Sequence, residues 1–193
     1  MLFRSVASEP ELASFANVRL AFKNLPDDLE ISSEPVDSIS LELRGPSGQL
    51  RDGNARPAVI IDMSGIQPGY RSFAIGPGNV NLARGVRLMR AIPSEVRFQF
   101  ERRSLRNSNV VPRFSGEEQQ GYSVAHWEAE PRQLTVLGPA SHVARIGSVG
   151  TDPIDVSGVV GSAEFHVNAY VEDPYVRFQS SPQVTVTVTM KKK

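Results

Sequence analysis

The side chains able to do chemistry are few, and their spacing argues against catalysis. His126, His142 and His166 are the only histidines. No two of them have the i, i+4 spacing of a helical zinc site, and none stands beside a Gly-x-Ser-x-Gly elbow. With no cysteine in the chain, thiol catalysis, disulfides and Cys-ligated metals are excluded. Gly76-Pro77-Gly78-Asn79 is glycine-rich but lacks the Lys-Ser/Thr of a phosphate loop, so it reads as a turn. Glu117-Glu118 and Glu172-Asp173 are loop neighbours, not carboxylates facing across a cleft. The three histidines read as exposed residues of polar sheet faces and turns. No catalytic residue, cofactor site or metal site is expected.

A more telling pattern is a phrase that occurs twice. Ile61-Asp62-Met63-Ser64-Gly65-Ile66 returns as Ile154-Asp155-Val156-Ser157-Gly158-Val159, 93 residues later. At the same offset Gly45-Pro46 returns as Gly138-Pro139. A constant shift across separated landmarks marks an internal repeat. Each phrase reads as a buried strand stopped by Asp, with Asp and Ser bonding forward to backbone N–H and Gly supplying a positive φ. Gly45, Pro46, Asp62, Ser64 and Gly65, with Gly138, Pro139, Asp155, Ser157 and Gly158, are therefore expected to build turns.

The elements that must carry these turns are strands. Val18, Leu20 and Phe22 alternate with polar neighbours, as do Ile39, Leu41 and Leu43, then Val96, Phe98 and Phe100. Val184 to Thr189 is β-branched throughout and strictly alternating, a strong strand signal. Ser141 to Ile146 fits one helical turn, with Pro139 suited to its first position. No stretch keeps a helical period over three turns. The expected fold is mainly β: two tandem small β-domains with at most short helical turns. The expected organisation is a leader at residues 1–16, repeat 1 at 17–103, a link at 104–109, repeat 2 at 110–190 and a basic tail at 191–193.

Net charge is zero, which recommends neither nucleic acid nor an acidic lipid surface. Repeat 1 is mildly basic and repeat 2 acidic. Arg84, Arg87 and Arg90, followed by Arg97, Arg102 and Arg103, gather near the end of repeat 1. They are either sheet cover, with apolar stems and wet heads, or a grip for an acidic partner. No apolar run reaches the ~18–20 residues that span a bilayer, and Met1-Leu2-Phe3 before Arg4 is too short for a signal peptide.

In order and spacing these residues resemble the YbbR-like domain. The first repeat matches through Glu34-Pro35, Arg44-Gly45-Pro46, Ile61-Asp62-Met63-Ser64-Gly65 and Pro93. The second matches through Glu130-Pro131, Leu137-Gly138-Pro139, Ile154-Asp155-Val156-Ser157-Gly158 and Pro182. Asn24-Leu25-Pro26 fits the family in the first repeat alone. The resemblance implies crossing strands, tandem repeats and a place on the extracytoplasmic face of the bacterial cytoplasmic membrane, usually behind one membrane helix. This chain has no such helix, and Phe3 to Pro10 looks like the tail of the connection that follows one. The role implied is non-enzymatic: regulation, through contact, of a membrane-bound diadenylate cyclase, the source of cyclic di-AMP. Arg84, Arg87 and Arg90 are the candidate partner contacts. The alternatives are an envelope scaffold or adhesion-like β-repeat protein, or a small RNA-binding β-domain.

Overall fold

Alternation and turn chemistry place the strands, and the computed structural model describes residues 9–34, 36–51, 57–118 and 121–192. Residues 1–8, Pro35 and Lys193 lie outside that set, and with them the first half of the expected leader. The chain divides into two units, Met1–Phe100 and Glu101–Lys193. Both are mainly β, as expected, with one short α-helix each among the described residues.

The first unit contains β1 (Glu11–Lys23), β2 (Leu29–Ile31), β3 (Ser38–Gly45), helix α1 (Ser47–Arg51), β4 (Val59–Asp62), β5 (Gly69–Ala74), β6 (Arg87–Ile92) and the start of β7 (Glu95–Ser115). Four strands lie in the order β4-β1-β3-β6. β1 is shared along its length: residues 11–19 pair antiparallel with β3, and residues 20–23 pair parallel with β4. β5 pairs antiparallel with residues 95–100 of β7. The core between these strands holds Leu41, Leu43, Ile61, Met63, Phe98 and Phe100, all essentially buried. Phe73 and Phe98 add ring contacts at 6.2 Å, within the range where aromatic pairs attract beyond their buried area.

β1 begins at Glu11, inside the stretch expected to be leader. Its alternation is broken by a bulge between Phe15 and Val18, where Asn17 has φ 55°. The extra residue reverses the phase, so Ala13 and Phe15 belong to the same core as Val18 and Leu20. A period-2 search across the bulge finds nothing.

The second unit takes β7 from Glu101 onward, then β8 (Tyr122–Glu130), β9 (Gln133–Pro139), α2 (Ala140–Arg145), β10 (Ser148–Asp155), β11 (Ser162–Tyr170), β12 (Arg177–Phe178) and β13 (Gln183–Lys192). Here β7 plays the part of β1. Residues 103–109 pair antiparallel with β9, and residues 109–115 pair parallel with β10. Residues 104–109, expected as a link, are therefore strand, because β9 supplies the hydrogen-bond partners that a polar, unperiodic stretch does not advertise. The proposed basic tail also departs from expectation, since Lys191 and Lys192 continue β13 against β8. Val184, Val186 and Val188 point inward, with Val136, Val149 and Ile154 in the same core.

Candidate functional site

The repeated Asp turns are closed by their own hydrogen bonds. β4 buries Val59 and Ile61 and turns Asp62 outward. Asp62 Oδ1 accepts the Ser64 N–H at 2.9 Å and the Asn24 amide at 3.1 Å, and it also accepts the Ser64 hydroxyl. Lys23 Nζ lies 3.3 Å from Oδ2. The Ser64 hydroxyl first, then Asn24 and the Ser64 N–H, hold the Asp62 carboxyl far below the usual carboxylate range. A carboxylate held this way serves the turn, since a general base works best with a pKa near the working pH. Gly65 follows with φ 66°. In the second unit Asp155 accepts the Ser157 N–H at 2.8 Å, Ser157 lowers its pKa, and Gly158 has φ 75°.

Asn24 is a residue whose role the sequence did not reveal. It sits just past β1 with φ 58°, and Gly116 sits just past β7 with φ 83°. Lys23 and Ser115, the residues before them, accept the N–H groups of Met63 and Val156 at 2.9 and 3.0 Å. The two positions are thus equivalent and filled differently. Asn24 tolerates the left-handed conformation and donates to Asp62, whereas a Cβ at Gly116 would lie 2.3 Å from Asp155 Oδ1 and Ser157 Oγ.

The Gly-Pro pairs mark close approaches of backbone. A Cβ on Gly45 would lie 2.9 Å from Val86 Cγ2, and one on Gly138 would lie 2.6 Å from the Tyr175 carbonyl oxygen. Each pair leads into a one-turn helix that buries one residue, Leu50 in α1 and Val143 in α2. Pro139 takes the cap position, one residue before the helix begins, rather than its first turn.

The histidines stay apart. His126 lies on β8 beside Glu128 at 3.4 Å, and His166 meets Thr185 Oγ1 at 3.0 Å on the polar face of β11. His142 is not an exposed residue: only 14% of its side chain is accessible. Its Nδ1 lies 2.7 Å from Asp173 Oδ2, and its ring packs 4.5 Å from that of Tyr175. Asp173 also accepts the Tyr175 N–H at 3.0 Å and faces Arg145 at 3.4 Å. Burial opposes the Asp173 charge, but His142, Tyr175 N–H and Arg145 outweigh it and lower the pKa. The neighbouring Ser141 donates its hydroxyl to Glu101 at 2.9 Å, not to this pair. The pair clamps α2 to the segment before β12. Among the described residues no three His, Asp or Glu side chains gather as a metal site.

The arginines read together in sequence are separated by the fold. Arg97 lies over the Tyr70 ring at 4.4 Å, a cation–π contact. Arg102 and Arg103 belong to the second unit. Arg84, Arg87 and Arg90 remain exposed, and their guanidinium groups have no partner among the described residues. Arg87 and Arg90 lie on β6, the edge of its sheet. Opposite Arg87 on β3 is another exposed arginine, Arg44.

Residues 109–190 match the model of the family described as YbbR-like protein. No curated protein matches the chain. A YbbR-like protein from Streptococcus pneumoniae TIGR4 has a similar structure, with TM-score 0.56 and 15% identity over 98% of this chain and 100% of that one. A YbbR-like domain from Listeria monocytogenes aligns with TM-score 0.41 and 17% identity over 48% of this chain and 94% of its own length. The second unit is therefore YbbR-like in sequence, and the whole chain shares the fold of a YbbR-like protein.

Proposed function

We propose that this YbbR-like chain is a non-enzymatic interaction module on the extracytoplasmic face of the bacterial cytoplasmic membrane. Through contact it regulates a membrane-bound diadenylate cyclase and so sets the level of cyclic di-AMP. The observation that carries the reading is the YbbR-like match over residues 109–190, in a unit whose crossed-strand plan the first unit also follows. The chemistry is consistent with it: the recurring acids are committed to turns, and Arg84, Arg87 and Arg90 are exposed with no partner among the described residues. Among the described residues no helix is long and apolar enough to cross a membrane.

A regulator of this kind works only if it binds two states of the cyclase with unequal affinity. Rigid sheets suit that task, because a fixed surface discriminates between shapes without first having to order itself. The test is co-expression with a membrane diadenylate cyclase and measurement of cyclic di-AMP. Wild type is expected to change the level, and charge reversal at Arg84, Arg87 and Arg90 to weaken the change. A protein that leaves cyclic di-AMP untouched while binding RNA with a steep salt dependence would overturn the reading.

A further inference from the structure

The sheet edge at β6 differs from its counterpart in the second unit. β12 is the strand paired to the outer side of β9, as β6 is to β3, and it is two residues long. So short an edge offers almost no template for a further strand. β6 runs for six residues and, among the described residues, pairs on one side alone, with β3. Beside it lies a groove of about 540 Å³ whose wall includes Ile75, Pro77, Met89 and Ile92. Met89 and Ile92 are 54% and 43% exposed.

The charges on this edge are out of balance. Arg87 stands directly across from Arg44, and like charges opposite each other on neighbouring strands repel. Arg90 stands across from Glu42, yet no ion pair joins them. Charged residues and a bulge both keep an edge from pairing, and β6 carries both, but that purpose does not call for an arginine placed against an arginine. An anionic neighbour does.

We propose that β6 is a docking edge for an extended acidic segment of a partner protein, which adds as a further strand with its carboxylates on Arg87 and Arg90 and an apolar side chain in the groove. This deepens the function proposed above and rests on its reading of the arginines as the contact surface. Main-chain hydrogen bonds supply affinity in such strand addition, and alternate side chains supply specificity. The register sets the spacing. Although Arg87 and Arg90 are three apart in sequence, the irregularity beside Leu88 brings them opposite Arg44 and Glu42, which are two apart on β3. A strand laid along β6 must therefore carry its carboxylates at i and i+2.

The probes are two nine-residue peptides of one composition, a Thr/Val background with two glutamates, placed as Glu-x-Glu in one and Glu-Glu in the other. Binding to the full chain is measured by fluorescence anisotropy, and the site by amide hydrogen exchange. Glu-x-Glu is expected to bind at least fivefold tighter and to slow exchange along β6. The R87E/R90E variant, its fold checked by circular dichroism, should lose that peptide and gain a Lys-x-Lys one. Equal binding of the two glutamate peptides, protection elsewhere, or no rescue by Lys-x-Lys would overturn strand addition. A peptide that binds as described, in a protein without effect on cyclic di-AMP, would refute the regulatory function and leave the docking edge standing. A cyclase response without peptide binding would do the reverse.

Discussion

Replacing Gly138 by Ala adds one methyl group where the second unit's own backbone leaves no room for it. The new Cβ would lie 2.6 Å from the Tyr175 carbonyl oxygen and 3.3 Å from Val176 Cα. Both are backbone, so no rotamer relieves the overlap. Nor is that backbone free to retreat. The Tyr175 N–H is held by Asp173 Oδ1 at 3.0 Å, the Val176 N–H by the Asp173 carbonyl at 3.1 Å, and Arg177 pairs with Leu137 of β9. The cost belongs at the upper end of overpacking, about 3 kcal/mol. With a urea m-value of about 2 kcal/mol per molar, the unfolding midpoint falls by about 1.5 M. Gly45→Ala meets Val86 Cγ2 at 2.9 Å and Val86 Cα at 3.1 Å. A methyl gives way more easily than a carbonyl, so the loss there is about 1–2 kcal/mol. Gly48 and Gly147 have no heavy atom within 4 Å of an added Cβ, and Ala at either should be neutral or slightly stabilising. Urea denaturation followed by circular dichroism ranks the four variants. If Gly138→Ala melts within about 0.5 kcal/mol of Gly147→Ala, the close approach is not why glycine occupies this position.

Three further outcomes follow from other parts of the structure. Ser108 is 1% exposed and its hydroxyl has no partner among the described residues, so Ser108→Ala should stabilise the protein by about 1 kcal/mol, and a comparable loss in urea denaturation would mean that the hydroxyl is bonded. The Asp173 carboxyl has a depressed pKa in the folded protein, so its contribution is present above the ordinary carboxylate value and is lost as pH falls through the folded value. Asp173→Asn should accordingly be less stable than wild type near neutral pH and converge with it in acid, and a gap that persists in acid would refute the assignment. In carbon-13 NMR titration Asp62 and Asp155 should both titrate below ordinary aspartates, and Asn24→Ala should raise Asp62 while leaving Asp155 unchanged.

Sequence by itself determined whatever depends on neighbours in the chain. Val184 to Thr189 alternates because its side chains point alternately to core and to solvent, a period of two that survives in any β context. Asp62-Met63-Ser64-Gly65 forms its turn from its own donors, acceptors and positive φ. Tertiary structure decided what depends on residues far away. Residues 104–109 show no period, and their partner strand β9 makes them strand. The bulge before Val18 hides the start of β1 from any period-2 search, because one extra residue inverts the pattern. His142 meets Asp173, 31 positions away, only through the packing of α2. Arg87 and Arg90 are part of a run of arginines in sequence, and strand order alone makes them an edge. A local pattern records which face of a strand is buried, but the strand alongside it is fixed by hydrogen bonds that the pattern does not contain.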